Sequence, residues 1–257
     1  LAPSFGGINL EDIAAPRCFD IEDALQDLGI PVFHDDQHGT AIAVLAGVMN
    51  ALLVTGRKIE DTKFVFAGAG AGGIASTKLL MEQGATHVTL VDSTGIIHRG
   101  RSDLTAVKSA MLDTTNPDNT QGGIADAMRS ADVFIGLSAA GAVTPEMVSS
   151  MAKNPIVFAM ANPIPEIWPE DARAAGAAVV GTGRSDFPNQ INNSLVFPGV
   201  FRGALDSHAT RVTTSMKLAA ANALAALVKE PTRENVIPWS LDREVARTVA
   251  QAVSEAA

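Results

Sequence analysis

From Lys63 onward the chain alternates short apolar runs with longer amphipathic stretches. "KFVFA" (63–67), "HVTLVD" (87–92), "DVFIGL" (132–137), "IVFAM" (156–160) and "AVVG" (178–181) are bounded by polar or turn-forming residues and read as buried strands. Between and after them, helical periodicity predicts helices near 73–83, 104–111, 124–130, 145–151 and 169–175. Strands alternating with helices imply a parallel sheet covered on both faces. Upstream, residues 1–34 are punctuated by Gly and Pro and hold a short helical pattern, 21–28, closed by Gly29. An apolar helix is predicted over 40–54 and is stopped by Gly56. After Asn192 the pattern turns mostly helical, notably over 215–228 and 241–254.

Composition narrows the reading. The 257 residues suit one large domain or two smaller ones, and 47% apolar content supports a sizeable core. A net charge of −9 argues against nucleic acid or an anionic membrane as the main partner. The single cysteine, Cys18, has no partner for an internal disulfide, which suits a reducing cytoplasmic setting. Apolar runs break short of the roughly 20 residues that span a bilayer, so no transmembrane helix and no signal peptide are expected. The sequence starts at Leu1 in mid-pattern and contains no tyrosine, so a longer parent is expected.

"FVFAGAGAGGIA" carries Gly68-x-Gly70-x-x-Gly73 between a predicted strand and a predicted helix. Asp92 ends the next strand, 19 residues beyond Gly73. Strand, glycines, helix and acid together form the context of a dinucleotide fingerprint. Gly68 permits the tight turn, Gly70 lets a pyrophosphate approach the backbone, and Gly73 lets helix and strand pack closely. The helix N-terminus offers N–H groups and partial positive charge to the phosphates. The same string fits a tight turn with no ligand. An α/β fold follows: a Rossmann-like, doubly wound parallel sheet with a partial, mostly helical second domain. Asp92 favours a free ribose hydroxyl and hence NAD, whereas Arg99 and Arg101 would suit the 2′-phosphate of NADP.

Two acidic pairs stand out, Glu11-Asp12 in "GGINLEDI" and Asp35-Asp36 in "PVFHDDQHGTA". Adjacent carboxylates repel unless a cation or donors offset them. Four such groups suit the oxygen-ligand chemistry of Mg²⁺ or Mn²⁺, though ordinary surface acid fits as well. His34 and His38 lack the thiolate partners of a zinc site.

"GGINLEDI", "PVFHDDQHGTA", "GAGAGGIA" followed by "LVD", "FAMANPIPEI", "GTGRSDFPNQINN" and "FPGVFRGALD" together resemble the malic enzymes. The resemblance covers all but the last few dozen residues. It implies oxidation and decarboxylation of L-malate to pyruvate and CO₂ with NAD or NADP and Mg²⁺ or Mn²⁺. It further implies that Glu11, Asp12 and Asp36 ligate the metal and that Asp35 orients a catalytic lysine. Asn162 and Asn193 would hold the malate carboxylate and the nicotinamide ribose region, with Asn192 a near alternative to Asn193. Asn162 precedes Pro163 and also fits a turn former, and Asn192 also fits a cap. By resemblance, residues 1–34 and 193–257 belong to a second domain and 35–192 to the dinucleotide domain, in a cytoplasmic homodimer. The family's catalytic lysine and tyrosine would precede residue 1. Lys58, Lys63, Lys78 and Lys217 read as solvated charges, so this chain alone is expected to turn over little malate.

Two rival readings remain at this stage. A metal-independent NAD(P) dehydrogenase of another family would be insensitive to chelators. A cofactor-binding module without catalysis would have no lysine and tyrosine upstream of Leu1.

Overall fold

The computed structural model describes residues 2–257. Strand β1 (Ile8–Leu10) is followed by helix α1 (Arg17–Leu25), β2 (Val32–His34), a π-helical turn (Asp35–Gly39) and α2 (Thr40–Thr55). Next come β3 (Lys63–Ala67), α3 (Ala71–Glu82), β4 (His87–Asp92), β5 (Gly95–Ile96), α4 (Ala106–Met111), α5 (Ile124–Met128) and β6 (Val133–Gly136). Then follow α6 (Pro145–Ser149), β7 (Ile156–Ala159), α7 (Pro169–Ala174), β8 (Val179–Thr182), α8 (Phe197–Asp206), α9 (Thr214–Ala226) and α10 (Arg243–Glu255).

The main sheet has the order β5-β4-β3-β6-β7-β8, and all neighbours are parallel except β4 and β5. The chain leaves β3 toward β4 on one side and later returns to β6 on the other. The crevice beyond the C-terminal ends of β3 and β6 is therefore a topological switch point, where such sheets bind ligands. Alternate strand residues face opposite layers. Phe64, Phe66, Ile135 and Phe158 join one apolar cluster with α2, α3 and the helices α8–α10. Val65, Phe134, Val157 and Val180 join a second, under the shorter helices on the other face. The first cluster contains residues from both sides of Asn192 without a break.

The strand reading matches the sheet closely, with two differences elsewhere. Helix α1 starts at Arg17, four residues before the apolar pattern suggested, because its inner face is Cys18 and Glu22, both buried. A glutamate on the inner face hides the period. Helix α8 falls within the mostly helical region after Asn192, but Pro198, Gly199 and Gly203 weaken its signature and leave its bounds unmarked in the sequence. Added Cβ atoms at Gly199 and Gly203 would press on Val249 and Val253 of α10, so the glycines permit close helix packing.

The continuous helical segment Asp35–Thr55 is long and apolar enough, by length and composition, to cross a membrane. Of its most apolar window, 72% is buried inside the protein. Its apolarity is that of a core helix, lying against α3 and α9. Asn50 ties it there, donating from Nδ2 to the carbonyls of Ala225 and Val236, both at 3.0 Å.

Candidate active site

The glycine turn sits at the switch point. Gly68 adopts φ +108°, and a Cβ there would overlap the carbonyl of Leu137. A Cβ at Gly73 would overlap the carbonyl oxygen of Gly68. Gly70 differs, since a Cβ there would meet nothing within 4 Å. It borders a cavity of about 630 Å³, lined also by Gly68, Asp92, Thr94, Lys108 and Ser138. No side chain caps the N-terminus of α3, so its first amides are free for an anion.

Asp92 closes one side of that cavity. Its carboxylate accepts from Arg101 Nη1 at 2.8 Å and Nη2 at 3.1 Å, and from Lys108 Nζ at 2.6 Å. Burial alone would raise its pKa, but the bonds from Arg101 and then Lys108 bring it down to about 2. The sequence expectation left this acid for a ribose, yet in the structure two cations engage it. Arg99 turns elsewhere, donating to the carbonyl of Leu112. Lys108 escaped the sequence reading. Its only signal was a place on the helix after the strand end.

The acidic pairs meet through strand pairing. β1 runs parallel to β2 in register Leu10↔His34, so Glu11-Asp12 and Asp35-Asp36 leave adjacent strand ends. The backbone N–H of Asp12 donates to Asp36 Oδ2 at 2.8 Å. Asp35 is 5% exposed. Its Oδ2 accepts from Asn193 Nδ2 at 2.8 Å, while its buried Oδ1 has no donor. Burial, then the charges of Glu11 and Asp36, raise its pKa to about 7 against the pull of Asn193. Gly39 is required beside it, because a Cβ there would overlap Asp35 Oδ1. Glu11 and Asp12 are exposed. Among the described residues no three His, Cys, Asp or Glu side chains form a ready-made metal cluster.

The two parts adjoin. A Cβ at Gly72, in the first turn of α3, would lie 3.1 Å from the carbonyl oxygen of Asp36. Asn192 caps the turn that follows it, its Oδ1 accepting from the Ser194 amide at 2.9 Å, and Asn193 is thereby left to reach Asp35. Asn162 is exposed after β7 and lines a separate cleft with Gly183, Arg184 and Asn192. Glu166, missed in the sequence, is fully buried. It accepts from the amides of Ser138 at 2.7 Å and Ala161 at 3.0 Å, tying the ends of β6 and β7 together. Its signal was an acid inside the apolar frame of "NPIPEI".

One expectation fails. Lys58, Lys63 and Lys78 are exposed, but Lys217 is partly buried, and its Nζ lies 3.1 Å from His38 Nδ1. Its helix turns it inward, toward the polar side of the π-turn.

A mainly parallel sheet, a glycine turn at its switch point and an uncapped helix end over a cavity define a dinucleotide-binding α/β protein of the Rossmann class. Residues 37–257 match the family model described as "Malic enzyme, NAD binding domain". The chain belongs to the malic enzyme family. It is 56% identical to the bifunctional malic/malolactic enzyme of Bacillus subtilis, over 100% of this chain and 64% of that protein. It is 47% identical to the NADP-dependent malic enzyme of Halomonas elongata, over 100% of this chain and 65% of that protein. The crystal structure of the NAD-dependent malic enzyme from Thermotoga maritima superposes with a TM-score of 0.97 at 45% identity, covering 100% of this chain and 68% of that one. The chain thus spans a little under two thirds of the length of these two curated relatives.

Proposed function

We propose that the protein to which this chain belongs converts L-malate and NAD⁺ or NADP⁺ into pyruvate, CO₂ and the reduced cofactor, with the help of Mg²⁺ or Mn²⁺. The observation that carries this reading is the pairing of β1 with β2, which sets four carboxylates beside the glycine turn. Their chemistry fits a hard divalent cation. All donors are oxygens, Asp35 Oδ1 is buried without a partner among the described residues, and burial, then the charges of Glu11 and Asp36, raise the pKa of Asp35. Glu11, Asp12 and Asp36 would hold the ion. A bound divalent ion supplies Lewis-acid polarisation of the substrate oxygens.

The chain's own residues do the rest by placement. The Gly68–Gly73 turn and the first amides of α3 bind the pyrophosphate. Asp92 and Lys108 border the cofactor cavity, with Arg101 bonded to Asp92, and they meet the adenosine ribose. Asn193 holds Asp35 in position, and Asp35 orients the proton-transferring lysine. Asn162 lies in the loop that follows the C-terminal end of β7 and holds the substrate carboxylate. The lysine that removes the C2 hydroxyl proton and the tyrosine that protonates C3 lie outside these 257 residues. Support for this comes from the absence of tyrosine in the sequence and from the length of the relatives. The active protein is a cytoplasmic homodimer.

Product analysis tests the proposal. The parent protein, given L-malate, NAD(P)⁺ and Mn²⁺, is expected to yield pyruvate and reduced cofactor in equal amounts, with loss of both on chelation. The 257-residue chain alone is expected to yield almost none. Accumulation of oxaloacetate without pyruvate, or full activity in chelator, would overturn it.

A further inference from the structure

Against the π-turn lies a buried polar node that the proposed chemistry does not use. Glu22 of α1 is 7% exposed. Its carboxylate accepts from Gln37 Nε2 at 2.8 Å, from His38 Nε2 at 2.8 and 3.0 Å, and from the His34 amide at 3.3 Å. All these donors belong to the five-residue stretch 34–38 that also carries Asp35 and Asp36. Lys217 of α9 completes the node from a third element, 3.1 Å from His38 Nδ1.

The direction of the hydrogen bonds follows from the groups. An ammonium has donors only, so His38 Nδ1 accepts from Lys217, and its Nε2–H donates to Glu22. The imidazole is neutral and bridges a partly buried ammonium to a buried carboxylate. The directions of the pKa shifts agree. Burial lowers that of Lys217, to about 8, and the His38 contact lowers that of Glu22 against the effect of its burial. Buried polar nodes of this kind are costly, and apolar residues of equal volume often serve stability as well. What an apolar filling would lose is orientation, because Glu22 holds the chain at His34, just before the turn, and at Gln37 and His38 within it.

We infer that Glu22, His38 and Lys217 are positioning residues: a hydrogen-bonded clamp that fastens the π-turn to α1 and α9 and so aims Asp35 and Asp36 toward Glu11 and Asp12. The inference rests on the proposed cation site. It assigns a role to residues that touch neither cofactor nor ion. Outer partners of this sort typically govern metal affinity by 10- to 100-fold.

The test titrates Mn²⁺ into the full chain, reading free Mn²⁺ by electron paramagnetic resonance, and measures NAD⁺ affinity on the same samples. His38→Leu and Lys217→Met are expected to weaken Mn²⁺ by about tenfold or more while leaving NAD⁺ affinity unchanged. His38→Gln is expected to bind Mn²⁺ like the parent, because an amide both donates to Glu22 and accepts from Lys217. Unaltered Mn²⁺ affinity in His38→Leu and Lys217→Met would overturn the clamp. So would a loss in His38→Gln equal to that in His38→Leu, since glutamine keeps the hydrogen bonds and lacks only the titration. Should His38→Leu lose NAD⁺ binding through misfolding, Lys217→Met decides. A parent chain that binds no Mn²⁺ at all would instead remove the cation site on which the clamp depends.

Discussion

Asn193 reaches across 158 positions of sequence to donate to Asp35 Oδ2 at 2.8 Å. Among the described residues no other donor reaches that buried carboxylate, and its second oxygen is unpartnered. Asn193→Ala therefore strands a buried, partly charged group. Urea unfolding of the metal-free chain is expected to show a loss of about 1–3 kcal/mol. Asp35→Asn is expected to act in the opposite direction, because it removes a charge crowded by Glu11 and Asp36. An Asp35→Asn chain less stable than Asn193→Ala would contradict this account of the crowding.

The glycines of the turn should separate cleanly. Gly73→Ala forces a Cβ onto the Gly68 carbonyl and is expected to cost about 2 kcal/mol or more of stability. Gly70→Ala meets no protein atom, and its melting temperature should stay near that of the parent. Cofactor affinity should nevertheless fall, because the new methyl stands where the pyrophosphate approaches. Calorimetric melts and NAD⁺ titrations of the two variants check both halves. Undiminished NAD⁺ affinity in Gly70→Ala would place the cofactor elsewhere.

Lys108 and Arg101 both neutralise Asp92 at the cavity edge. Cations at that strand end favour a 2′-phosphate, and a bare carboxylate favours a ribose hydroxyl. Lys108→Met is expected to weaken NADP⁺ by about tenfold more than NAD⁺, a differential of about 1.4 kcal/mol. Fluorescence titration with both cofactors reads the ratio. An unchanged ratio would leave Lys108 without a part in cofactor choice.

The same ion pair sets an acid limit. The pKa of Asp92 is lowered from 3.8 to about 2 in the folded chain, so between those values the unfolded chain binds more protons. Its contribution, about 2 kcal/mol, is fully present above pH 4–5 and is lost as pH falls through 4 toward 2. Urea midpoints measured across that range should fall more steeply in the parent than in Asp92→Asn. Parallel curves would contradict the assignment.

Much of this was legible in the chain because burial there follows simple periods. Strand β3 read directly, since each residue of "KFVFA" after Lys63 is buried. Gly68, Gly70 and Gly73 sit where the motif placed them, around one turn and its cavity. The meeting of Glu11-Asp12 with Asp35-Asp36 was suggested by residue type and by the family resemblance and not by periodicity, because a three-residue parallel pair is too short to show a pattern. The roles of Glu22, Lys217 and Glu166 were hard to read from the chain for a common reason. Each is a charged side chain facing inward, where its partners come from other elements, so no local spacing marks it. The partners of Asp92 illustrate the same limit, since Arg101 and Lys108 fold back on it from the loop and helix beyond the strand.

The central claim is that two acidic pairs, brought together by one short strand pairing, hold a single divalent cation next to the dinucleotide turn. Diffraction at the manganese absorption edge, from crystals of the chain grown with Mn²⁺ and NAD⁺, tests it most directly. The account predicts one anomalous peak bounded by Glu11, Asp12 and Asp36. A peak at another site, or a cofactor bound with no peak between those carboxylates, would contradict it.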